Sequence, residues 1–191
     1  HSLSLERHRL IWLYLKNKTD FFSVQKRVLH IAPEYCFIKP FKKLTNLDYI
    51  TADLISPWAD VKLDVQNIPF PDASFDVVIC NHVLEHVDDD RRAMSEMLRV
   101  MKSDGFGIFQ VPLDNSIEVT LEDSNINTPE LREKHYKQRD HLRLYGRDYA
   151  TRLREVGFEV IEDDYVHSFS EDLIKRYALP KDEILYICKK V

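Results

Sequence analysis

The chain has 191 residues, 44% of them hydrophobic and 31% charged, which fits one soluble globular domain with a single sizeable core. A formal net charge of -5 argues against a general nucleic-acid binder, whose surface would be basic. No apolar run approaches the roughly 20 residues that span a bilayer, and no secretory signal is visible. The three cysteines, Cys36, Cys80 and Cys188, are odd in number and widely spaced. They suit buried thiols in a reducing, cytoplasmic setting better than a disulfide framework or a structural zinc site.

The first segment, SLERHRLIWLYLKNK, brings Leu10, Ile11, Tyr14 and Leu15 to one side of a helix, so residues 1–22 are read as an N-terminal helix. Trp12 and Tyr14 are packing residues in this reading. RVLHIA is a short buried strand, EYCFIKPFKKL a short helix disturbed by Pro40, and LDYITADL and ADVKLDV are two further strands. After the turn PFPDAS, the apolar run FDVVIC reads as a strand covered on both faces. Asp88, Asp89 and Asp90 suit a helix start, followed by Ala93, Met94, Met97, Leu98 and Met101 at helical spacing. Ser103-Asp104-Gly105 is expected to stop that helix, with FGIFQVP as the next strand. Residues 113–146 lose apolar periodicity and read as an insertion over the edge of the sheet. RDYATRLREVGF is a helix closed by Gly157, and FEVIEDDYV and EILYICKK are strands joined by a short helix near Ser170 to Tyr177. Alternation of this kind means an α/β fold with a parallel sheet, and the short last connection allows an antiparallel return.

Open α/β sheets bind ligands beyond the carboxyl ends of their strands. Those ends hold His30 to Glu34, Asp53, Asp64, Asn81 to His86, and Pro112 to Asp114. Asp53 offers two acceptor oxygens, which suits a ribose diol, and Asp64 with the Val65 backbone suits an adenine amino group. Each is equally an ordinary solvated loop residue or cap when taken alone. Trp58 stands near the same rim, with core packing as its alternative. Lys42, Lys43, Arg91 and Arg92 read as solvated helix surface.

The stretch LDVQNIPFPDASFDVVICNHVLEHVDDDRRAMSEMLRVMKSDGFGIFQVP resembles the core of class I S-adenosylmethionine-dependent methyltransferases. The likeness rests on Asp64, Ile68-Pro69-Phe70, Ser74-Phe75-Asp76, His82 to His86, and Arg99-Val100 with Lys102. It covers about residues 27 to 112, and SLERHRLIWLYL, VLHIAPE and DHLRLYGRDYATRL are similar to a bacterial subgroup of the same proteins. The resemblance implies a Rossmann-like, mostly parallel seven-stranded sheet with an antiparallel last strand, adenosylmethionine as cofactor, and methyl transfer to a small-molecule or saccharide acceptor. It places His30, Ala32, Glu34, Asp53, Asp64, Val65, Asn81 and His82 around the cofactor. The first loop departs from the family pattern. His30 stands where an acidic residue is usual, Ala32 and Pro33 replace small flexible positions, and Glu34 replaces a glycine.

The insertion is expected on the acceptor side, where loops on a scaffold set substrate choice. His141 is the candidate general base, with His82 a second catalytic candidate, because imidazole titrates near neutrality. Arg143, Tyr145 and His135 are candidate substrate-binding residues; Arg143 could hold an anion by a forked contact. The competing reading gives Asp140, His141 and Arg143 the task of anchoring the insertion to the sheet. His82-Val83-Leu84-Glu85-His86 also matches H-x-x-E-H, a zinc-protease pattern that requires both histidines on one helix. The sequence expectation is therefore no metal. The rivals to methyl transfer are a non-catalytic binding module of the same fold and a zinc hydrolase.

Overall fold

The computed structural model describes residues 4–190. Residues 1–3 of the expected N-terminal helix lie outside that range. Helix α1 (Glu6–Lys18) precedes strand β1 (Lys26–Ile31), helix α2 (Tyr35–Phe41), and strands β2 (Leu47–Asp53), β3 (Val61–Lys62) and β4 (Phe75–Asn81). Helix α3 (Asp90–Val100) and strand β5 (Met101–Gln110) follow, then α4 (Pro129–Tyr136) and α5 (Tyr149–Val156). Strand β6 (Phe158–Asp163), a 3-10 turn, α6 (Glu171–Tyr177) and β7 (Leu185–Lys190) complete the chain.

The seven strands form one sheet in the order β3-β2-β1-β4-β5-β7-β6. Strands β1 to β5 pair in parallel, whereas β7 runs antiparallel between β5 and β6. This is the expected Rossmann-like, class I methyltransferase architecture. The chain reverses direction across the sheet between β1 and β4, which opens a crevice at their carboxyl ends. Apolar runs explain the central strands: Val28, Leu29, Val77, Val78 and Ile79 are all fully buried. One face packs on α3 and α5 through Met94, Met97, Tyr149 and Leu153. The other packs on α1 and α2 through Leu10, Ile11, Leu15, Phe37 and Phe41. Among the described residues, no helix is long and apolar enough to cross a membrane. All three cysteines are free thiols.

Three elements differ from the sequence expectation. Strand β3 has only two residues and pairs only with β2. Helix α3 ends at Val100, and residues 101–105 already belong to β5, whose register against β4 shifts between Phe75 and Val77. Met101 is therefore a buried strand residue and not the last turn of a helix. The insertion contains α4, capped by the Thr128 hydroxyl on the Leu131 N–H.

The motif residues outside the rim hold the frame. Arg99 bonds Glu96, Asp72 and the carbonyls of Ile68 and Phe70, so it fixes the loop ahead of β4. Asp76 accepts from the Arg27 N–H and Lys102 Nζ, which ties β4 to its neighbours.

Candidate functional site

The first βα loop sets the rim. Ala32 has φ 47, in the left-handed region that glycine favours, and its N–H bonds the Ala52 carbonyl of β2. The loop thus keeps a glycine-like turn with a methyl side chain, at a cost of roughly 1–2 kcal/mol. Ala32→Val adds branching where the backbone is already strained, and we expect it to lower the melting temperature measurably by calorimetry, while Ala32→Gly stays near the parent.

Glu34 follows at the N-cap of α2 but does not cap it. Its Oε2 takes His30 Nε2 at 2.7 Å, and its Oε1 accepts from Asn81 Nδ2 at 3.0 Å. His8 Nε2 of α1 lies 3.6 Å from Oε1. Burial alone would raise this carboxyl, but the hydrogen bond and charge of His30, with Asn81, hold it down at about 2. The Glu34 carboxyl is therefore ionised at neutral pH. Asn81 is 4% exposed, and its side-chain carbonyl Oδ1 is buried without a partner. A buried acceptor without a donor is costly, so this arrangement suits a cationic donor arriving beside Glu34.

His30 itself is fully buried, and its Nδ1 meets the Tyr49 hydroxyl at 2.7 Å. Both ring nitrogens are engaged, so it cannot touch a ligand; it orients Glu34. That corrects its expected place among the cofactor contacts.

Asp53 ends β2, and its Oδ1 accepts from the Ile55 and Ser56 N–H groups at 2.8 Å each. The bonds close the turn and leave Oδ2 for a ligand. Asp64 stands at the adjoining strand end, where its Oδ1 accepts from the Gln66 N–H at 2.8 Å. Val65 buries its side chain in the core, which leaves only its backbone to the rim. Ile55 is 88% exposed and Trp58 69% exposed beside Asp53. Trp58 is thus a surface residue, not a core residue.

His82 has φ 55, and residues 82–88 form bends and turns, not a helix. The helix that H-x-x-E-H needs is absent, which removes the zinc-hydrolase reading based on His82 and His86 as neighbours one helical turn apart. His82 lines a cavity of about 600 Å³ with Gln110 and Leu113. Its opposite wall comes from the start of α1, including Arg7 and Arg9, and from Asp182, Glu183 and Ile184. Neither Asp53 nor Asp64 lines this cavity.

Of the two readings of the insertion residues, anchoring holds for Arg143. Arg143 is 1% exposed and donates to the carbonyls of Leu84, Val87 and Asp88 and to Glu122. With its Nε also on Glu122, every donor of the fork is spent inside the protein. The Tyr145 hydroxyl is fully buried on Asp90 Oδ2 at 2.8 Å. Arg143 and Tyr145 are therefore anchors of the 84–90 turn, not substrate contacts. His135 is half-buried on α4 and does not line the cavity. His141 is 2% exposed and packs its ring on His86 at 4.8 Å between centroids. It also lies outside the cavity lining, so a general base acting directly on an acceptor there is corrected to a residue of an inner cluster. Sequence reasoning missed Tyr49, His8 and the α1 wall of the cavity. Only the polar residues Arg7, His8 and Arg9 within the apolar α1 pattern hinted at that wall.

With this geometry in place, the comparisons with known proteins are informative. Residues 36–109 match a family model described as a methyltransferase domain. The uncharacterized methyltransferase YcgJ of Bacillus subtilis is 45% identical over 40 residues, which are 21% of this chain and 16% of that protein. The chain thus matches only a small part of that curated relative's length. In three dimensions, the 1,6-didemethyltoxoflavin-N1-methyltransferase of Burkholderia thailandensis, solved with S-adenosylhomocysteine, superposes with a TM-score of 0.62. It shares 12% identity, over 97% of this chain and 78% of that one. The [4+2]-cyclase SpnF superposes with a TM-score of 0.64 at 15% identity, over 100% of this chain and 85% of that one. One scaffold thus hosts different chemistries, and these likenesses speak to fold. The chain shares the Rossmann-like fold of these methyltransferases, and its residues 36–109 are similar to the methyltransferase-domain model.

Proposed function

We propose that this protein binds S-adenosylmethionine at the β1–β3 rim and transfers its methyl group to an acceptor held in the cavity beyond His82. The observation that carries this reading is the pairing of an ionised Glu34 with the orphaned Oδ1 of Asn81. Two acceptors at one point fit the ammonium of the cofactor's amino acid end. Asp53 holds the ribose hydroxyls through its unused oxygen, and Asp64 with the Val65 backbone holds the adenine, against the apolar surface of Ile55 and Trp58.

Bound adenosylmethionine supplies a methyl group made electrophilic by its sulfonium. The chain's own contribution is alignment: Asn81 bonds Glu34 at the rim and its neighbour His82 lines the cavity, and orientation of two reactants accounts for much of such catalysis. With the cofactor bound, the methyl would pass from its sulfonium to the acceptor's nucleophilic atom, and any proton on that atom would leave to solvent at the cavity mouth. The cavity's mixed wall of Arg7, Arg9, Asn115, Asp182 and Glu183 suits a polar small molecule or a saccharide. A cytoplasmic setting fits the free thiols.

Calorimetric titration with S-adenosylhomocysteine tests this. The parent chain is expected to bind, and Asp53→Asn to weaken binding roughly 10- to 100-fold by loss of a charged acceptor. Asn keeps an oxygen for the Ile55 and Ser56 N–H groups, so the turn survives. Absence of binding by the parent would leave the scaffold as a binding module without the cofactor.

A further inference from the structure

Glu85, His86 and His141 each offer one ligand atom, and these atoms lie within 4.8 Å of one another. Glu85 is 1% exposed, and its Oε2 is buried without a hydrogen-bond partner. Its Oε1 has only long approaches, 3.4 Å from His82 Nδ1 and 3.9 Å from His86 Nε2. His141 is 2% exposed, and its Nδ1 is likewise buried without a partner. A buried carboxylate and a buried imidazole, both unsatisfied and both facing one gap, are too costly to be left so by chance packing.

The surroundings fix the direction of each donor. His86 Nδ1 lies 3.3 Å from the Asp140 carbonyl and 3.5 Å from its carboxylate, which takes the ring proton on that side. Nε2 is thereby left with its lone pair toward Glu85. Imidazoles oriented through their second nitrogen by carbonyl or carboxylate groups are the usual outer shell of a metal site. The two segments are also pinned together. The Leu142 N–H bonds the Glu85 carbonyl at 2.8 Å, and Arg143 clamps the carbonyls of Leu84, Val87 and Asp88.

We infer that Glu85, His86 and His141 form a binding site for one divalent transition-metal ion. Two imidazoles and one carboxylate suit zinc, iron, nickel or manganese better than calcium or magnesium, which prefer all-oxygen shells. Bonds of about 2.0–2.2 Å require the donors to close by roughly an ångström, which His86, with 35% of its side chain exposed, is free to do. Three protein ligands leave open positions on the side of His82 and His86. Those positions would take water or another oxygen-bearing ligand.

The test uses the full chain, stripped with a chelator, reloaded with zinc, desalted and assayed by plasma mass spectrometry. About one zinc per chain is expected. His86→Ala and His141→Asn are each expected to weaken zinc binding by about 100-fold or more, beyond the loss from an outer-shell change, while His167→Ala does not. His86 lies partly at the surface, so its variant keeps the test valid should His141→Asn fail to fold. Zinc should raise the melting temperature of the parent and not that of His86→Ala. Substoichiometric zinc on the parent, or full retention in both ligand variants, overturns the site. Zinc bound by a chain that ignores S-adenosylhomocysteine supports the site and removes only the cofactor reading.

Discussion

Arg143→Met is expected to destabilise the protein by roughly 3–5 kcal/mol, the loss typical of breaking a buried charge network. For a chain of this size that corresponds to a fall in melting temperature on the order of 10 °C. The guanidinium is 1% exposed and carries bonds to three backbone carbonyls and to Glu122. Methionine fills much of the volume but leaves the carbonyls of Leu84, Val87 and Asp88 without donors. Asp90 also loses a nearby cation at 3.9 Å, though Arg152 still holds it at 2.8 Å. Lysine is expected to rescue little, since one ammonium cannot serve carbonyls spread over a fork. Differential scanning calorimetry of the two variants checks this, and a parent-like melting curve for Arg143→Met contradicts the clamp.

Glu34→Gln is expected to act on both stability and binding. The carboxylate accepts from His30 on one oxygen and from Asn81 on the other. Glutamine supplies one acceptor, so one of those donors must face its NH₂. A carboxyl held at about 2 against an ordinary 4.5 contributes roughly 3 kcal/mol at neutral pH. Because its folded value is depressed, that stability is present above 4.5 and is lost as the pH falls toward 2. Urea unfolding of parent and variant across that acid range should therefore show a gap that is full at neutral pH and closes at the acid end. A gap independent of pH would mean that packing, not ionisation, accounts for it. In the proposed function the same substitution removes the charge facing the cofactor's ammonium, and S-adenosylhomocysteine affinity is expected to fall roughly 10- to 100-fold.

The central sheet was readable because its strands are short continuous apolar runs bounded by turn residues, and buried strands have that composition. Helix α3 was readable from Asp89, whose carboxylate caps the Arg92 N–H. Strand β3 was not, because two paired residues leave no period to detect. Helix α4 was hidden for another reason: only Tyr136 of its eight residues is buried, so there is no apolar stripe. The rim carboxylates Asp53 and Asp64 followed from topology alone, as ligands bind where parallel strands end. The roles of His30 and His141 did not follow, and anchoring was only one of two readings for Arg143. Each depends on a partner far along the chain: Tyr49 for His30, the 84–88 turn for Arg143, and Glu85 for His141. A sequence shows that a histidine stands in a polar loop, but only packing decides whether it faces solvent, a cavity or a buried carboxylate. The first loop shows the same limit, for an odd Glu34 in a glycine position becomes intelligible once His30 and Asn81 are seen to hold it.

Methyl transfer by this chain requires that the β1–β3 rim grip an adenosine. A crystal structure of the chain soaked with S-adenosylhomocysteine tests this most directly. The expected density places the ribose on Asp53, the adenine against Asp64 and Trp58, and the amino acid end between Glu34 and Asn81 Oδ1. Density for the nucleoside elsewhere, or Glu34 occupying the amino acid position with no ligand bound at saturating concentration, would contradict it.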